Sequence, residues 1–253
     1  MQTYQKLEKV NATGASFAAS GLADWAVYDG RFADAVRILE KGAAADLAAK
    51  KPDRAANKFA ALAYTQFSRG KKGPAVTAAE SALANSNAVK IRFLAARIFV
   101  EAGQAAQARE LATVLAAGLG AESQAYGKVI QGETALKGGD APQALKAFTD
   151  AKGLMDTWIG RFDLARAYLG AGAFVEASSE LDECLRRRGE ALALFIDEVP
   201  TYGYFPPVYF LQGQIRVGLK SSGSVESFRT YLAARGKAGE DPLLAEVRRS
   251  AGQ

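Results

Sequence analysis

The chain has 253 residues, 49% hydrophobic and 23% charged, with a formal net charge of +5, which supplies enough apolar content for a core in an ordinary soluble balance. It contains no histidine and one cysteine, Cys184, which excludes histidine triads and general bases, intrachain disulfides and Cys/His zinc clusters. No apolar run approaches the roughly 18 residues of a membrane span; residues 91–100 already carry Arg92 and Arg97.

The amino terminus, MQTYQKLEKV, has no apolar signal core. Helix-like sequence follows Met1 directly, as in a piece of a longer protein. The expected location is cytoplasmic, or extracytoplasmic if a parent protein carries an anchor upstream. Alanine is abundant and β-branched runs are nearly absent, which favours helix throughout.

Along the chain a glycine recurs with an alanine five residues later: Gly30/Ala35, Gly70/Ala75, Gly103/Ala108, Gly139/Ala144 and Gly172/Ala177. The glycines are spaced 40, 33, 36 and 33 residues apart, close to the period of about 34 of a helix-turn-helix repeat. Each stands between two alanine-rich segments, where an αL turn requires glycine. Pro74 and Asp140 with Pro142 are helix-start signals just after the turns. Small residues (Ala23, Ala63, Ala96, Gly132, Ala165, Gly213) mark where the first helix of each pair must approach the second. Gly170-Ala171-Gly172 is not a dinucleotide loop, because a helix-like segment precedes it and Val175 holds the third small-residue place. Cys184, between Leu181 and Leu185, reads as a small core residue.

The copy over residues 158–185 carries Leu164, Ala165, Tyr168, Gly172, Phe174, Ala177, Leu181 and Leu185 at the packing positions of the tetratricopeptide repeat, and residues 16–234 resemble that family. The resemblance implies an all-α fold: a tetratricopeptide-type α-solenoid of about six helix-turn-helix pairs with a C-terminal capping helix. The whole chain reads as one solenoid, with clear repeats over 16–185, an interrupting segment at 186–207, and an irregular final pair and cap over 208–250. Residues 219–223 form a longer joint in that last pair, and Asp241-Pro242 is expected as N-cap and first residue of the cap helix. EVPTYGYFPP, residues 198–207, reads as a joint where the solenoid restarts, with a functional lid as the alternative.

In such an array the first helices line a concave face. The resemblance therefore points to Tyr64, Phe67, Phe93, Arg97, Tyr126, Glu133, Phe162 and Arg166 as partner-binding residues, with Asp24 and Phe210 nearby. For each aromatic, core packing between repeats is the alternative; Arg97, Glu133 and Arg166 need water or partners. Arg97 and Arg166 are expected to be removable with little loss of stability. The lysine and asparagine clamp with which some family members hold a chaperone tail is missing, since its places hold Ser20, Ala60, Phe93, Val129 and Phe162.

The stretches PTYGYFPPVYFLQGQIRVGL and SFRTYLAARGKAGEDPLLAEVRR resemble the end of the repeat region attached to bacterial eukaryotic-like serine/threonine protein kinases. The kinase's own motifs are missing from this sequence. The expected function is a non-catalytic scaffold that binds a protein or extended peptide on its concave face, as the sensor or docking portion of a larger signalling kinase. No cofactor, metal or catalytic residue is expected, and neither is nucleic acid. The alternative is a regulatory nucleic-acid-associated repeat protein using Lys50-Lys51, Lys71-Lys72 and Arg186-Arg187-Arg188.

Overall fold

Five left-handed turns set the architecture. Gly30, Gly70, Gly103, Gly139 and Gly172 have φ of 75°, 74°, 86°, 81° and 75°. The residue after each glycine donates its backbone N–H to a carbonyl five residues back, as in Gln104 N to Phe99 O at 2.8 Å and Ala173 N to Tyr168 O at 2.9 Å. This closes each helix end and turns the chain into the next helix.

The computed structural model describes residues 2–192 and 201–253, which are helical without strands. A short α1 (Gln2–Leu7) precedes five pairs: α2 (Ala12–Tyr28) with α3 (Phe32–Ala48), α4 (Pro52–Ser68) with α5 (Lys72–Asn85), α6 (Val89–Ala102) with α7 (Ala105–Ala116), α8 (Ala121–Lys137) with α9 (Ala141–Leu154), and α10 (Trp158–Gly170) with α11 (Phe174–Arg186). A sixth pair, α12 (Pro207–Gly218) and α13 (Ser224–Arg235), is followed by α14 (Leu244–Ser250). The order of pairs agrees with the period of the glycines. The interrupting segment is described at its two ends, in short 3₁₀ turns at Arg188–Leu192 and Tyr202–Tyr204; its residues 193–200 lie outside the described residues.

Small residues let the helices of a pair approach closely. Ala35, Ala75, Ala108, Ala144 and Ala177 are fully buried, as are Ala96 and Ala165. A Cβ at Gly132 would stand 2.7 Å from the Phe148 ring, and one at Gly213 would stand 2.4 Å from the Phe228 ring, so these first helices are seated on aromatic rings of their second helices. One core runs from α2 to α12, and a smaller one joins Phe228 and Tyr231 to Leu244, Val247 and Ala251. Cys184 is wholly buried, and burial pushes its thiol pKa far up.

The joint at 219–223 uses Lys220 in the left-handed region at φ 53°, and Arg216 braces it through Gly223 O at 3.1 Å and Ser227 Oγ at 2.9 Å. One C-terminal expectation changes, that for Asp241. Asp241 is not the N-cap of α14, which starts at Leu244. Its Oδ1 accepts from Leu243 N while its Oδ2 accepts from the Tyr231 hydroxyl and Arg235, so these partners hold it back from the helix start.

Candidate partner-binding cleft

Stacking brings the inner helices α4, α6, α8, α10 and α12 around a cleft of about 540 Å³. Its walls are mostly apolar: Tyr64, Phe67, Ile98, Leu136, Ile159, Phe162, Leu169, Pro207, Phe210, Leu211 and Leu243, joined by Tyr204 and Gln214. Arg97, Glu101, Glu133 and Arg166 supply the polar side.

The two arginines converge on a fifth group, Asp163, which is fully buried. Arg97 donates from Nη1 to Asp163 Oδ2 at 2.5 Å and lies 3.0 Å from Glu133 Oε1. Arg166 reaches Asp163 Oδ1 at 3.0 Å and Glu101 Oε1 at 3.3 Å. Lys137 holds the other Glu101 oxygen at 2.7 Å. Although burial opposes ionisation, Lys137 and Arg166 hold the Glu101 carboxyl below its ordinary range. Burial wins at Glu133, whose pKa is raised to about 8 in spite of Arg97. Its Oε2 is buried without a hydrogen-bond partner.

Six of the eight expected site residues line the cleft: Tyr64, Phe67, Arg97, Glu133, Phe162 and Arg166. Phe93 and Tyr126 do not. They are 0% and 1% exposed and stack on each other with ring centroids 4.2 Å apart, filling the contact between α6 and α8 as core. Arg97 and Arg166 are not free groove charges: Arg97 pairs with Asp163 and Glu133, and Arg166 with Asp163 and Glu101. Asp163 escaped the sequence reading; its signal is its spacing three residues before Arg166 on the same helix face.

The chain itself covers part of the concave face. Asp24 on α2 accepts the backbone N–H groups of Tyr202 at 3.0 Å and Gly203 at 2.8 Å, and burial pushes its pKa to about 6 against the pull of those two donors. Tyr202 stacks on Tyr28, and Tyr204 stacks on Tyr64 with centroids 3.8 Å apart. From α13, Arg235 donates to Gly203 O at 2.7 Å and lies over the Phe32 ring. Glu240 accepts from Ala33 N at 2.7 Å. The last pair thus meets the first pair, a contact for which the sequence reading, with its C-terminal capping helix, made no provision.

No family model and no curated protein matches the chain. Among solved structures it is similar to a tetratricopeptide repeat protein from Parabacteroides merdae, with a TM-score of 0.55, 11% identity and full coverage of both chains. The fold is that of the tetratricopeptide repeat. A second similar structure of this fold is the APC/C hetero-tetramer Cut9–Hcn1, with a TM-score of 0.53 and 14% identity, covering all of this chain and 45% of that one. At these identities the likeness concerns the fold alone. In this tetratricopeptide-type array no helix among the described residues is long and apolar enough to cross a membrane.

Proposed function

We propose that the protein is a non-catalytic interaction module whose partner inserts an apolar segment into the concave cleft. The observation that carries this reading is the cleft itself. Rigid aromatic and aliphatic walls, with an ion cluster at one side, suit burial of side chains from a partner. The ion cluster's groups are engaged mainly with one another, which supports a role in holding the cleft's shape ahead of a role in chemistry.

Of the three basic knots, the one at Arg186-Arg187 supports a protein partner over nucleic acid. Arg186 pairs with Glu183, and Arg187 pairs with Asp156 at 2.9 Å and Glu190 at 2.6 Å, so little unpaired charge is left there for phosphates. The resemblance of the C-terminal third to the repeat region of bacterial eukaryotic-like kinases supports a docking role beside a kinase catalytic domain.

Gln214 lines the cleft from α12, and Gln214→Trp adds bulk to that wall while leaving every residue of the ion cluster in place. Affinity capture by this variant should fall about thirtyfold, the equivalent of roughly 2 kcal/mol. The exposed outer-wall pair Arg109→Ala with Lys146→Ala should capture normally. Loss in the outer-wall variant with retention in Gln214→Trp overturns the assignment. The kinase role further predicts that the captured partner is a substrate of the parent kinase and that Gln214→Trp slows its phosphorylation.

A further inference from the structure

We propose that residues 201–206 are a built-in ligand: the concave surface of the first two helix pairs is a docking site for a short aromatic–glycine–aromatic peptide, filled here by the chain's own Thr-Tyr-Gly-Tyr-Phe-Pro, and a partner segment of the same chemistry exchanges with it. The inference rests on reading the concave surface as a binding face and names the chemistry of what it binds.

The contacts of Tyr202, Gly203 and Tyr204 are those a separate peptide makes, while Phe205 is fully buried in the main core against Trp158 and Tyr209. One carboxylate, Asp24, receives two successive backbone N–H groups, a recognition of main chain strengthened by the charge on the acceptor. Arg235 takes the carbonyl of the same glycine at 2.7 Å. Two alternate aromatics are read by two receptor aromatics, Tyr28 under Tyr202 and Tyr64 under Tyr204, in parallel stacks at 4.8 and 3.8 Å. The glycine is required by space: a Cβ at Gly203 would stand 2.6 Å from Val27 Cγ1 and 3.1 Å from Asp24 Oδ1. Backbone donors, two flat rings and a glycine between them define a sequence class.

The receptor side is built from the first two repeats, with Arg235 of α13 added from the last pair, and the occupant is a segment some 180 residues after Asp24; the two Asp24 bonds span 178 and 179 positions. Tethering gives the occupant an effective concentration of about millimolar, so a free peptide at micromolar concentration is excluded until the tethered one is weakened. Tyr204 also walls the large cleft, and exchange would therefore widen the cleft on the α4 side.

The test titrates the peptide Thr-Tyr-Gly-Tyr-Phe-Pro-amide, labelled with fluorescein on its amino terminus, against the whole chain by anisotropy. The wild type is compared with Gly203→Val, in which the added side chain collides with Val27, and with Tyr202→Ala/Tyr204→Ala, which removes both stacks. Both variants should bind the peptide at least about tenfold more tightly than the wild type. Adding Asp24→Ala in either background should weaken binding at least about tenfold. Equal affinity across wild type and variants, indifference to Asp24, or no binding overturns the proposal. So does loss of helicity by circular dichroism in both variants, because the segment is then an obligatory part of the core. Failure here leaves the capture result for Gln214→Trp standing, since that residue lies on α12 and makes none of these contacts.

Discussion

Replacing Arg97 with alanine should destabilise the protein more than any other single change in the cleft. Arg97 is 14% exposed on its side chain, while its partners Asp163 and Glu133 are 0% and 4% exposed. Removing it leaves the buried Asp163 carboxylate short of a counter-charge and the Glu133 carboxyl, which burial keeps largely protonated at neutral pH, without its nearest partner. Breaking such a pair from one side typically costs about 3–5 kcal/mol. Arg166 stays 3.0 Å from Asp163 and 3.7 Å from Glu133 and offsets part of the loss, which sets the expectation at the lower end, about 3 kcal/mol. The assay is urea denaturation followed by circular dichroism, with an unchanged m-value required for the comparison. Arg97→Met/Asp163→Asn removes both charges and should cost clearly less than the two single changes added together, because the residues interact directly. A loss below about 1 kcal/mol for Arg97→Ala, or a double variant as damaged as the sum of the singles, refutes the reasoning.

Further outcomes follow from the same structure. Glu133 has a folded pKa of about 8 against an ordinary 4.5, so the stability linked to its protonation is fully present below about 4.5 and is lost as the pH rises through 8. Glu133→Gln should therefore melt at least about 2 °C above the wild type at pH 9, and thermal melts at pH 5 should show that gain shrink. Gly172→Val should lower the urea midpoint by an amount equivalent to about 1–3 kcal/mol; a Cβ there meets nothing within 4 Å, so the cost is conformational and Gly172→Asn should recover much of it. Native Cys184 should resist iodoacetamide and react after unfolding, a difference that mass spectrometry reads directly.

The helix pairs were legible because their determinants are local. A glycine that must enter the left-handed region and an alanine five residues on that must vanish into the pair contact repeat at nearly constant spacing, and a period survives inspection of one sequence. The same period aligned Arg97, Glu133 and Arg166, and the structure brings them together. Their state was not legible. Asp163 takes the place that Leu94 and Ile130 hold in the two preceding repeats, where an apolar residue is expected, and it converts an apparent row of free groove charges into a cluster. Phe93 and Tyr126 illustrate the other limit, since an aromatic on an inner helix can face the cleft or the neighbouring helix, and a shift of one position decides which. The return of residues 201–207 to the first repeats had no local signal at all: Asp24 and Gly203 are 179 positions apart, and neither residue alone announces a partner. Tyr-Gly-Tyr-Phe read as a joint because its composition describes a turn as well as a ligand.

The central claim, that a partner enters the concave cleft, is tested most directly by site-specific photo-crosslinking. A p-benzoylphenylalanine placed at Phe67 or Phe162, both on the cleft wall, should crosslink the captured partner. The same group at Val114 or Val175, 42% and 69% exposed on the second helices, should not. Crosslinks from Val114 and Val175 with none from Phe67 or Phe162 would contradict the account.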